Sequence, residues 1–88
     1  MQPHENPTEK DRFFSRLATI PGIQPLPSVG GWILLQVEEP ADLARKVNRR
    51  LAPGIMSVPR GIKQAVRVQV GPPKENEVVL RTLRDICC

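Results

Sequence analysis

The sequence is poor in the residue types that carry most enzyme chemistry. Its 88 residues include one histidine, two cysteines, two phenylalanines, one tryptophan and no tyrosine. His4 and the cysteines lie at opposite ends of the chain, so we do not expect them to form a metal site. For the same reason we do not expect a catalytic triad of nucleophile, base and acid. Ser15, Ser28 and Ser57 therefore lack a histidine base. We expect no independent catalytic site and no metal site.

The two cysteines, Cys87 and Cys88, are adjacent, so they cannot form a disulfide framework. No apolar run approaches the roughly 18 residues that a membrane-spanning helix needs. The amino-terminal residues MQPHENPTEK have neither a basic start nor an apolar segment. The sequence predicts a cytoplasmic protein without membrane contact, with residues 1–5 disordered.

The net charge of +4 is concentrated in the middle of the chain. Between Ala41 and Lys74, one acid, Asp42, stands among eight basic residues: Arg45, Lys46, Arg49, Arg50, Arg60, Lys63, Arg67 and Lys74. A solvated helix face followed by a basic loop explains this pattern. The alternative is a basic surface for nucleic acid or another acidic partner, with the candidate patch Arg45, Lys46, Arg49, Arg50, Arg60 and Lys63. No aromatic residue interrupts the basic segment, so the stacking platform of a single-strand binder is missing.

Turn residues and apolar spacing divide the first half of the chain into a helix, a strand and a second helix. Asn6 is the expected cap of the first helix, which Pro21-Gly22 ends. The apolar run of residues 32–37 predicts a central strand. Trp32 is either a core residue or an exposed anchor at a protein interface, and the flanking apolar run favours the core. Apolar residues at every fourth position from Leu43 predict the second helix, and Pro53-Gly54 closes it.

The second half predicts two strands and a last helix. Residues 55–58 form a short apolar segment, and residues 65–70 alternate, which directs Val66, Val68 and Val70 to the core and Arg67 to the other face. A helix follows residues 71–73. The predicted order is α-β-α-β-β-α. The fold class is α+β, a two-layer sandwich with a small, mainly antiparallel sheet and helices on one face.

Several stretches, in this order, resemble one protein family. The family shows a helix, a "PG-V/I" turn, a "PS" pair and an apolar strand, which resemble, in this order, residues 13–17, 20–23, 27–28 and 32–37. The family's "LRITVGTPEEN" segment resembles residues 65–77. The family is the fold-type I pyridoxal-phosphate-dependent aminotransferases of histidinol-phosphate type, and the similar part is their C-terminal small domain. The resemblance covers about residues 10–86, and we assign residues 6–88 to this domain.

The resemblance implies that a much larger domain, absent from this sequence, holds the pyridoxal phosphate. It also implies that Arg67 binds the substrate's carboxylate; the alternative is a strand arginine that is solvated or paired with Glu38 or Glu39. Two features depart from the family: Gly30-Gly31 replaces an asparagine before the strand, and the loop of residues 55–65 is short.

No lysine here lies in the family's motif for bonding the cofactor; the lysines are Lys10, Lys46, Lys63 and Lys74. We therefore expect no catalytic residue and no cofactor-binding residue in the chain alone.

Two hypotheses follow. The first is an aminotransferase-like domain that is not catalytic by itself. It acts as an interaction module or as one part of a split enzyme, and its partner is a separate large domain or a second copy. The alternative is a basic α+β module that binds nucleic acid or another acidic partner.

Overall fold

A computed structural model describes residues 8–28 and 30–87. The elements are α1 (Glu9–Leu17), β1 (Gln24–Leu26), β2 (Trp32–Gln36), α2 (Pro40–Arg50), β3 (Met56–Ser57), β4 (Ala65–Gln69) and α3 (Pro73–Cys87). The expected order is confirmed, with one short strand, β1, added before β2. The fold class is also confirmed as a small α+β sandwich.

The four strands form one antiparallel sheet in the order β1-β2-β4-β3. Residues that pair across strands share a face, so the register fixes the two sides of the sheet. Ile33 pairs with Val68 and Leu35 with Val66, and all four are fully buried. Their neighbours in sequence, among them Leu34 and its partner Arg67, lie on the opposite side.

The core lies between the sheet and the three helices. Each helix contributes buried apolar residues to the same cluster as Ile33 and Val68: Phe13 and Leu17 from α1, Leu43, Ala44 and Val47 from α2, and Val79, Leu80 and Leu83 from α3. All three helices therefore cover one face. The other face has no helix among the described residues, and we call it the open face.

Helix α1 begins later than the sequence analysis predicts. Its cap is Thr8, whose hydroxyl oxygen accepts a hydrogen bond from the Asp11 backbone N–H at 3.1 Å. The expected cap, Asn6, lies outside the described residues. The helix ends at Leu17, and Ile20 is buried in the turn that follows, before the Pro21-Gly22 stop. Gly22 has a φ of 81°, a left-handed conformation that suits glycine in such a turn.

A side chain of α2 holds the outer edge of β3 in place. Asn48 on α2 donates to the Met56 carbonyl at 2.7 Å and accepts from the Met56 N–H at 2.9 Å. The amide thus replaces a neighbouring strand at the free edge of β3, which satisfies the backbone groups that an edge strand leaves unpaired.

A buried asparagine joins the first helix, α1, to the last helix, α3. Asn76, which is 2% exposed, donates to the Gly71 carbonyl at 2.8 Å and to Glu9 Oε2 at 2.9 Å, and its side-chain oxygen accepts from the Gly71 N–H at 2.9 Å. A second link lies alongside, because the Arg16 guanidinium donates to both carboxylate oxygens of Glu77, at 2.8 and 3.3 Å. These contacts fix α1 against α3.

Candidate functional site

The open face has an apolar centre and an uncharged polar border. Leu26, Trp32 and Leu34 are half-buried at the centre, and Gln24, Gln36 and Gln69 are exposed around them. The four strands contain no aspartate, glutamate or lysine. Arg67 is therefore the one charged strand residue on this face.

Arg67 makes no hydrogen bond and no ion pair with any residue in the described part of the chain. Its Nε is buried without a partner. Leaving a buried donor without a partner costs about 1–3 kcal/mol. The alternative pairing with Glu38 or Glu39 does not occur: both residues follow the end of β2 and are exposed.

Arg67 Cζ lies over the Trp32 ring, 5.3 Å from its centroid. This distance is within the range of a cation–π contact, which stabilises the charged side chain without using its N–H donors. The guanidinium therefore keeps its hydrogen-bonding edge for another group. Planar, paired donors of this kind match the two oxygens of a carboxylate.

The sequence analysis places Trp32 in the core, and this prediction is wrong. Because Ile33 and Leu35 point to the helices, Trp32 lies on the open face, where it is half-buried. The run of residues 32–35 is apolar on both faces, so no alternation reveals which residues face the helices.

A small cavity of about 220 Å³ adjoins the Arg67 side chain. Its lining residues come from β2, β4 and the segment around β3: Trp32, Gly54, Ile55, Ser57, Arg67 and Gln69. Ser57 is directly opposite Arg67 in the β3–β4 register. The cavity thus has one cation, two neutral polar side chains and no acid. A larger cavity of about 500 Å³ at the opposite edge includes Glu38 and Gln64 but no cation.

The lysines do not gather at the Arg67 site. Lys10 donates to the backbone carbonyls of Ser28 at 2.7 Å and Gly30 at 2.8 Å, and Lys46 pairs with Asp42 at 3.0 Å. Lys63 and Lys74 are exposed, outside the strands. The strand residues of the open face therefore do not fit pyridoxal phosphate, which needs a lysine and an acid opposite its ring nitrogen.

The candidate basic patch is divided between two segments. Arg45, Lys46, Arg49 and Arg50 lie on α2, and Arg60 and Lys63 lie in the loop between β3 and β4. Three of the α2 cations have acidic partners: Arg45 and Lys46 pair with Asp42, and Arg50 lies 3.8 Å from Asp85. The hydrogen bond from Lys46, with the charges of Lys46 and Arg45, holds the pKa of the Asp42 carboxyl below its usual value. Two acids, Asp42 and Asp85, therefore compensate about half of the four positive charges on the helix.

We expect the basic residues to bind duplex DNA only weakly, with a dissociation constant of about 10⁻⁴ to 10⁻⁶ M that rises steeply with salt. Arg49 is exposed and makes no ion pair among the described residues, so its substitution is the most direct test of a phosphate contact. If it contacts a phosphate, Arg49→Gln should reduce the slope of log affinity against log salt by about 0.9. Fluorescence anisotropy at several salt concentrations measures this. Tight binding that persists at high salt would instead establish the nucleic-acid hypothesis.

Two further features bear on the class of protein. No helix in residues 8–28 and 30–87 is long and apolar enough to cross a membrane. In the same residues, no group of three or more histidine, cysteine, aspartate or glutamate side chains is placed to hold a metal ion.

The sequence of this small α+β domain is similar to one part of two aminotransferases. The similarity extends over 80 residues, 86% of this chain, at 34% identity, but it covers only 19% of the matched proteins. These are histidinol-phosphate aminotransferases, named as chloroplastic, from Nicotiana tabacum and Nicotiana plumbaginifolia. The chain thus spans about a fifth of their length. No family profile matches the chain. The similarity supports an aminotransferase-like fragment.

Proposed function

We propose that this chain supplies the carboxylate-binding face of an aminotransferase-type site and depends on a separate large domain for lysine and cofactor. Alone, it is a carboxylate-recognising module without transaminase activity. The expected site of action remains the cytoplasm.

The observation that carries the proposal is the state of Arg67. It is the single charged strand residue of the open face, it has no acidic partner among the described residues, and its buried Nε lacks a hydrogen bond. A structural arginine would be expected to donate to a carboxylate or a carbonyl. The similarity to histidinol-phosphate aminotransferases adds support. The resemblance of residues 65–77 to the family's "LRITVGTPEEN" segment implies that Arg67 binds the substrate's carboxylate.

Replacing Arg67 should remove carboxylate binding and leave the stability of the domain nearly unchanged. Arg67→Ala should abolish binding of small carboxylates such as propanoate and pentanedioate. It should change the free energy of unfolding by only about 0–1 kcal/mol, because the substitution breaks no hydrogen bond or ion pair and loses mainly the cation–π contact with Trp32. Arg67→Lys should not restore binding, because an ammonium group cannot reproduce the paired donors of a guanidinium. Calorimetric titration and thermal melts of the three proteins measure both quantities.

The matched control is Arg49→Ala, which removes an exposed arginine from the helical side of the molecule. It should leave carboxylate binding unchanged. If wild-type protein binds no carboxylate and Arg67→Ala melts several degrees early, Arg67 has a structural role and the proposal is wrong.

A further inference from the structure

The Trp32 indole lies near the backbone just before β2, because a Cβ added to Gly30 would be 3.6 Å from the indole Nε1. Gly30 has a φ of 89°. The Lys10 ammonium fixes that segment through the carbonyls of Ser28 and Gly30. A third link is the bond from the Val70 N–H to the Gly31 carbonyl at 2.9 Å. The backbone that leads into Trp32 is therefore held in place before any ligand arrives.

The Trp32 ring restricts the conformations that Arg67 can adopt. Because the ring lies against the guanidinium, the contact limits the side chain's freedom without using its N–H donors. Preorganised donors bind more tightly than mobile ones, since less conformational entropy is lost on binding.

Ser57 offers a second, neutral donor at the same place. It is opposite Arg67 in the strand register and lines the same cavity, and its hydroxyl has no hydrogen-bond partner in the part of the chain that the structure describes. A hydroxyl can rotate its proton toward an anion. With one cation and neutral neighbours, the cavity balances a single negative charge, whereas a phosphate dianion would leave one charge uncompensated.

We propose that Trp32 is the positioning residue of a single-carboxylate site in which the Arg67 guanidinium and the Ser57 hydroxyl together bind the anion. This inference rests on the proposed function, because it assumes that Arg67 takes a carboxylate. It adds a positioning residue, a second donor and a ligand class: small monocarboxylates in preference to phosphate monoesters and phosphonates.

The test compares Trp32→Leu with Trp32→Phe. The leucine variant keeps an apolar side chain but loses the aromatic ring, and it should bind propanoate about two- to fivefold more weakly than wild type. The phenylalanine variant keeps a ring and should recover most of the affinity. Ser57→Ala should weaken propanoate binding by about tenfold. Methylphosphonate, measured at a pH high enough to make it a dianion, should bind more weakly than propanoate to the wild-type protein. Ligand-observed NMR gives the affinities, and thermal melts are recorded in parallel.

The outcomes separate this inference from the proposed function. If wild type binds no propanoate, or if Arg67→Ala binds it equally well, the proposed function fails. If wild type binds but Trp32→Leu binds as tightly, the positioning role is wrong. Loss of binding together with a lowered melting temperature in both Trp32 variants would assign Trp32 a structural role and also overturn the inference. Tighter binding of methylphosphonate than of propanoate would overturn the ligand class.

Discussion

Phe13→Ala should lower the free energy of unfolding by about 3–5 kcal/mol, the usual cost of deleting a buried aromatic side chain. Phe13 is 1% exposed and packs in the core between α1 and the sheet. The free energy of unfolding of a small domain is only about 5–15 kcal/mol, so the variant should lose a large fraction of its stability. Urea unfolding followed by circular dichroism measures the difference.

The control for this prediction is the same substitution at the neighbouring residue, Phe14. Phe14 has the same side chain on the same helix but is only half-buried, so Phe14→Ala should cost clearly less than Phe13→Ala. Equal losses in the two variants would mean that α1 does not pack on the sheet through the Phe13 side.

Asn76→Ala should lower the free energy of unfolding by about 2–4 kcal/mol, although it deletes only one small polar side chain. The substitution removes three hydrogen bonds at once and leaves the N–H and the carbonyl of Gly71 unpaired near the start of α3. Asn76→Asp should not rescue stability, because the new carboxylate cannot donate to the Gly71 carbonyl and would face Glu9.

Asn48→Ala is the matched comparison for Asn76→Ala. Asn48 also bonds a backbone N–H and a carbonyl, but it is only half-buried, so water can replace its side chain. We expect a cost of about 1–2 kcal/mol for Asn48→Ala. Chemical denaturation of both variants checks the order, and a fully stable Asn76→Ala protein would contradict the role given to this residue.

Local patterns were sufficient to predict most of the fold. The alternation of residues 65–70 correctly directs Val66 and Val68 to the core and Arg67 to the opposite side. Helix stops at Pro21-Gly22 and Pro53-Gly54 lie just beyond the ends of α1 and α2. These features depend on neighbours along the chain, which a sequence displays directly.

The features that the sequence did not reveal depend on contacts between distant residues. Strand β1 lies in a stretch whose two prolines, Pro25 and Pro27, indicate a turn; pairing with β2 makes it a strand, with Pro25 buried opposite Leu35. The Asn76 contact with Glu9 joins residues 67 positions apart. Likewise, Ser57 enters the candidate site only because β3 is paired with β4.

The links between α1 and α3 also determine when the domain can fold during its synthesis. Arg16 and Glu77 are 61 positions apart, and the Glu9 contact with Asn76 spans still more. Because a ribosome releases the chain from its amino end, the apolar side of α1 stays uncovered until nearly all of α3 has emerged. Likewise, β2 cannot form its hydrogen bonds with β4 until β4 has been synthesised. The domain should therefore fold in one late step rather than progressively.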